Sequence, residues 1–150
     1  MIRKAVGAIR MPYVRIGGNV AFPPPFLALL QTDGSYRLKP QKQARVAFIL
    51  LSADGRRSLR DVETIRADNS TEAEWTSIYY GLQAAIDAKE TAIGIENDCL
   101  SVVHGLTLSS PLRSSVNQEI RRKILDLAKQ TTWTGVRWIP REENRADALF

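Results

Sequence analysis

The strongest constraint on the fold is a change of hydrophobic period part-way along the chain. "FLALLQT" from Phe26, "ARVAFILLS" from Ala44 and "SLRDVETIR" from Ser58 are apolar or alternating runs, the second closed by the turn pair Asp54-Gly55. Runs of this kind read as strands, and strands joined by short turns form an antiparallel meander. The near-continuous apolar character of the first two predicts cover on both faces, as for central strands. In "AEWTSIYYGLQAAIDAKE", by contrast, Trp75, Ile78, Tyr79, Leu82 and Ile86 recur at helical spacing and form one apolar stripe.

"TAIGIEND" then predicts a short strand, "CLSVVHGL" a short helix, and "NQEIRRKILDLAKQ" an amphipathic helix with Ile120, Ile124 and Leu127 inward. "TGVRWIP" predicts a last strand and "ENRADALF" a terminal helix after Pro140. The order β-β-β-α-β-α-α-β-α implies an α/β fold, a five-stranded mixed sheet of three antiparallel strands and then parallel ones, flanked by helices. A length of 150 residues suits one such core.

Upstream, "VAFPPPF" carries three consecutive prolines, which fix φ and remove backbone donors. The expected boundary lies near Pro25, with residues 1–25 an extension and 26–150 the domain. Arg3, Lys4, Arg10 and Arg15 precede Asp33 and no acidic residue does, so nearly all of the net charge of +5 sits in this extension. It reads as a phosphate-seeking arm, a plain structural extension or a transit peptide. No apolar core follows the early charges as in a secretory signal, and no run of about 18 apolar residues exists to enter a bilayer. The single cysteine, Cys99, excludes an internal disulfide or a multi-cysteine zinc cluster and suits a reducing compartment, so the expected setting is cytoplasmic.

The crossovers make the strands beginning near Phe26, Thr91 and Thr134 parallel, and ligand sites gather at the carboxyl ends of such strands. Asp33 is expected to close the first of them and Asp98 the next, while Glu74 opens the long helix and Asp147 lies in the terminal one. Carboxylates from separate segments that converge must be neutralised by protons or cations, and hard oxygen donors are what magnesium binds. Singly, these residues also read as helix caps, dipole partners or a turn.

As an ordered set, "TDGSY", "NSTEAEWTSIYYGLQAA", "IENDCLSVV" and "VRWIPREENRADAL" resemble the ribonuclease H family, particularly its shorter bacterial, archaeal and plant-type members, over residues 26–150. The resemblance implies cleavage of the RNA strand of RNA/DNA hybrids to 5′-phosphate and 3′-hydroxyl ends, with two magnesium or manganese ions. It implies that Asp33 bridges both ions, that Glu74 and Asp98 complete the ligands of one, and that Asp147 holds the ion positioning the attacking water. Gly34, Ser35, Ser70 and Thr71 match positions that contact the hybrid's 2′-hydroxyls. Arg141 stands where plant-type members have an assisting arginine, and Asn144 matches a residue that orients the last helix or a ligand. The expected partner is an RNA/DNA hybrid, met by a monomer.

Several stretches depart from the family pattern. Asn69-Ser70-Thr71 replaces a threonine followed by two asparagines, and "YRLKPQKQARVAF" lacks the usual glycines but carries Arg37, Lys39, Lys42 and Arg45, which read as a phosphate-binding or a solvated loop. His104 is expected to face solvent or pack, and Glu72, Glu96, Glu142 and Glu143 to be surface charges. Arg121, Arg122 and Lys123 read as a solvated helix face or a basic handle, and Trp133 and Trp138 as packing residues. Three residues follow Asp147, fewer than in family helices, so fraying is expected there. Two other functions share these features: a nuclease of the same fold acting on structured or double-stranded DNA, and a non-catalytic nucleic-acid binding module.

Overall fold

The computed structural model describes residues 11–38 and 43–150. Arg3, Lys4 and Arg10 of the extension, and Lys39 and Lys42 of the basic loop, lie outside the described residues. The strands are β1 (Val14–Gly17), β2 (Ala28–Arg37), β3 (Gln43–Leu51), β4 (Ser58–Ile65), β5 (Ala92–Asn97) and β6 (Trp133–Trp138), in the spatial order β1-β6-β5-β2-β3-β4. The helices are α1 (Ser70–Asp87), α2 (Leu100–Thr107) and α3 (Ser115–Ala128). β2, β3 and β4 form the expected antiparallel meander, and β2, β5 and β6 run parallel.

The mixed sheet has six strands among the described residues, where the sequence predicts five. The sixth is β1, which comes from the extension and pairs antiparallel with β6, Val14 opposite Val136 and Arg15 opposite Gly135. Four residues are too few for a periodicity to be read. The otherwise unpaired edge of β6 recruits them, a partner that local sequence does not display. Arg15, the described cation of the extension, folds onto its own turn, with Nε donating to the Val20 carbonyl at 3.0 Å.

One core lies between the helices and one face of the sheet. Ala28, Leu30, Phe48, Leu50, Ile93, Ile95 and Val136 line the sheet side, with Trp75, Ile78, Leu82, Val102, Leu106, Ile124 and Leu127 opposite. Each fully buried Ile or Leu contributes about 1.5–3 kcal/mol over an exposed one. On the other face Tyr13 crosses β5, its ring edge-on to Trp133 at 6.3 Å. The C-terminal segment packs there on β2 and β3.

Two expectations need correction. β2 does not close at Asp33: it continues to Arg37 because β3 keeps pairing with it, Asp33 opposite Ala47 and Arg37 opposite Gln43. Its parallel partner β5 leaves at Gln31 opposite Glu96, so Asp33 stands two residues beyond the last β2–β5 pair, where the sheet opens. The terminal helix is absent as well, replaced by two 3₁₀ turns, Arg141–Glu143 and Arg145–Leu149. Asn144 breaks the run between them: its backbone is extended and its side chain accepts from the Ala146 amide at 3.2 Å, competing with helix continuation.

The three cations of α3 separate. Arg121 is buried, its Nη1 donating to the carbonyls of Gly105 at 3.0 Å and Ser110 at 2.8 Å, so it ties α3 to the end of α2 and the following loop. Arg122 is exposed between Glu119 and Asp126, and Lys123 lies over the Tyr79 ring at 5.8 Å. Arg121→Ala is expected to cost about 3 kcal/mol by leaving those carbonyls unpaired. Arg122→Ala is expected to leave stability essentially unchanged, as for exposed ion pairs. Urea unfolding of both variants checks the contrast.

Candidate active site

The site forms where the first turns of α1 meet β2. Asn69 caps the helix, its Oδ1 accepting from the Glu72 amide at 2.9 Å, which starts α1 at Ser70 and places Glu74 in the second turn. Helix and strand touch at Gly34. A Cβ there would lie 2.5 Å from the carbonyl carbon and oxygen of Ala73 and 2.6 Å from the amide nitrogen of Glu74. The bare backbone instead lets the Gly34 amide donate to Glu74 Oε1 at 3.0 Å and to Asp33 Oδ1 at 3.1 Å.

Buried amide side chains fix the other segments to β2. Asn97 closes β5, and its Nδ2 donates to the Thr32 carbonyl at 3.1 Å while its Oδ1 accepts from the Cys99 amide at 2.8 Å. Asp98 is thereby held between strand and helix. Asn144 Nδ2 donates to the same Thr32 carbonyl at 2.8 Å. Gln31 Oε1 accepts from the Arg145 amide at 3.0 Å, and its Nε2 donates to the Glu143 carbonyl at 3.2 Å and to Glu96 Oε1 at 2.9 Å. Glu96 pairs in turn with Arg137. Asp147 therefore reaches the site on a short turn fastened at both Asn144 and Gln31.

Asp33, Glu74 and Asp98 each offer a carboxylate oxygen within 4.8 Å of the others. Burial, and then Glu74, Asp98 and Asp147, push the Asp33 carboxyl up to about 9. Burial, followed by Asp98, raises Glu74 to about 7 against the lowering effect of the Gly34 amide. Asp98 is also raised, chiefly by burial, with the Asn144 amide opposing. Asp147 lines the same cleft of about 480 Å³.

Gly34, Ser35, Ser70 and Arg141 line this cleft, and Arg141 Nη2 stands 3.6 Å from Asp147 Oδ1. Thr71 is exposed on the first turn of α1, outside the cleft lining. Asn144 is buried and holds backbone. His104 is exposed on α2, and Trp133 is buried in packing. Glu96 is 2% exposed and is not the expected surface charge.

Sequence reasoning missed Gln31 and Asn97. Strand alternation carried a signal for Asn97, because Ile93, Ile95 and Asn97 share one face of β5 by a period of two and a polar residue there must find partners.

Residues 31–149 match the family model described as reverse transcriptase-like. The chain belongs to that family. Its fold is that of ribonuclease H, as the four sequence motifs implied. RNase H1 from the halophilic archaeon Halobacterium salinarum NRC-1 is 27% identical, over 81% of this chain and 92% of its own, with a TM-score of 0.74. The N-terminal RNase H domain of a Mycobacterium tuberculosis protein is 22% identical over 83% and 90%, also at 0.74. LC11-RNase H1 in complex with an RNA/DNA hybrid, a protein isolated from compost by a metagenomic approach, is 19% identical over 81% and 92%, at 0.69. No curated protein matches the chain.

The donors of this family member are all oxygens, close-set and mutually repelling, which fits a hard divalent cation. Without one, protons must relieve the repulsion. Because the folded Asp33 and Glu74 bind protons more tightly than their unfolded forms, their contribution to folding stability is fully present below the ordinary carboxylate range and is lost as pH rises through about 7 and about 9. The metal-free protein is expected to show a melting temperature that falls across this window and a flatter profile in Asp33→Asn, both readable by differential scanning calorimetry. Gly34→Ala is expected to push α1 off β2, costing about 1–3 kcal/mol as overpacking does. Calorimetric titration with manganese should show weakened binding in that variant.

Proposed function

We propose that this family member is a metal-dependent endoribonuclease that cuts the RNA strand of RNA/DNA hybrids. The observation that carries the reading is the convergence of Asp33, Glu74 and Asp98 within 4.8 Å. Asp147 opens on the same cleft. The likeness to the Halobacterium RNase H1 supports it.

Asp33, Glu74, Asp98 and Asp147 would hold two magnesium or manganese ions. Bound there, such ions would supply an activated water and charge stabilisation at the leaving oxygen. Asp33 and Asp147, which line one cleft, would orient the water for in-line attack on phosphorus. The P–O3′ bond breaks, the water oxygen stays on phosphorus, and the products are a 5′-phosphate and a 3′-hydroxyl that takes up a proton. Gly34, Ser35 and Ser70 line the cleft and would meet the RNA 2′-hydroxyls, which alone distinguish RNA from DNA at a given position. Asn69 spends its side-chain oxygen on the helix cap, and Arg141 stands beside Asp147 on the outer lip. The protein would work as a monomer in the cytoplasm.

The test is an end-labelled RNA/DNA hybrid offered beside double-stranded RNA and double-stranded DNA, with magnesium or manganese. Internal cuts confined to the RNA of the hybrid are expected, reduced about a thousandfold in Asp33→Asn. Cleavage of DNA would replace the proposal with the nuclease of other substrate. No metal-dependent cleavage of any duplex would leave a binding module.

A further inference from the structure

The β2–β3 hairpin carries cations whose role the sequence leaves open between a solvated loop and a phosphate contact. Arg45 lies opposite Ser35, and Asp33 lies opposite Ala47 on the same pair of strands. Residues two apart on a strand share a face and stand about 6.6 Å apart. Arg45 therefore rises from the face that bears Asp33, one step along the sheet, and it lines the same cleft.

The three arginines lining that cleft, Arg37, Arg45 and Arg141, are not equivalent. Arg141 is drawn to Asp147, whereas Arg37 and Arg45 form no ion pair among the described residues, and of these two only Arg45, one step from Asp33, has a ring contact to hold it. Its guanidinium carbon sits 5.2 Å from the centroid of the Phe150 ring. A ring contact fixes a guanidinium through its face and leaves the in-plane N–H donors unused. Those donors form a rigid fork that matches phosphate oxygens two at a time. A polyanionic strand entering over four carboxylates needs positive charge beside them that those carboxylates have not already captured.

The geometry points to Arg45, steadied by Phe150, as the seat of a backbone phosphate of the bound nucleic acid, next to the scissile position. The assignment rests on the nuclease reading for its neighbour in the cleft, but binding can be measured without cleavage.

The experiment follows fluorescence anisotropy of labelled RNA/DNA hybrid, double-stranded RNA and double-stranded DNA in EDTA over a potassium chloride series. It compares the full chain with Arg45→Ala, Arg45→Lys, Phe150→Leu and Arg56→Ala, the last an exposed arginine in the β3–β4 turn. Arg45→Ala is expected to weaken binding about tenfold at low salt. It should also lower the slope of log K against log salt by about 0.7–0.9, one phosphate contact. Arg45→Lys should keep the slope and lose part of the affinity, Phe150→Leu should fall between, and Arg56→Ala should match the parent. Equal affinity and slope for Arg45→Ala and Arg56→Ala would overturn the seat, as would no binding to any duplex. A salt-slope loss in a protein that cuts DNA rather than hybrid would retain the seat and remove the hybrid reading.

Discussion

The site depends on how closely α1 can approach β2, and that distance is set by the side chain Gly34 lacks. With Ala73 backbone and the Glu74 amide nitrogen where a Cβ would stand, any larger residue separates helix from strand. The same amide that the glycine exposes then bridges Glu74 and Asp33. One missing carbon thus decides whether two acids from segments forty residues apart can share a cluster at all.

Holding carboxylates together opposes folding, and the compensation is distributed through neutral amides. Gln31, Asn97 and Asn144 are buried, and each fastens a segment bearing an acid or leading to one onto β2. Amides serve here because they donate and accept without adding charge to a crowded field. Glu96 with Arg137 extends the lattice as a charged but internally paired element. Such an arrangement gives Asp147 a fixed approach on a 3₁₀ turn without a long helix behind it.

The meander, the period change to α1 and the parallel strands were legible because each is a local pattern longer than one turn or pleat. So was the order of Asp33, Glu74, Asp98 and Asp147, whose residue types and spacing survive translation into one cleft. What could not be read depends on partners remote in sequence. β1 exists because β6 has an edge, Arg121 is buried because three carbonyls surround it, and Glu96 is internal because Gln31 and Arg137 meet it. The terminal turn was misread for a different reason. "ENRADALF" has the composition of a helix, but Asn144 uses its side chain to cap rather than continue.

β1 has a consequence beyond the count of strands. By pairing with β6 it becomes the lateral strand on that side among the described residues, with β4 the lateral strand on the other. β4 carries Arg60, Asp61 and Glu63, all exposed. Charges along a lateral strand disfavour hydrogen bonding to a strand of another molecule. The short N-terminal strand and the charges of β4 together guard the two flanks of the sheet against self-association into extended aggregates.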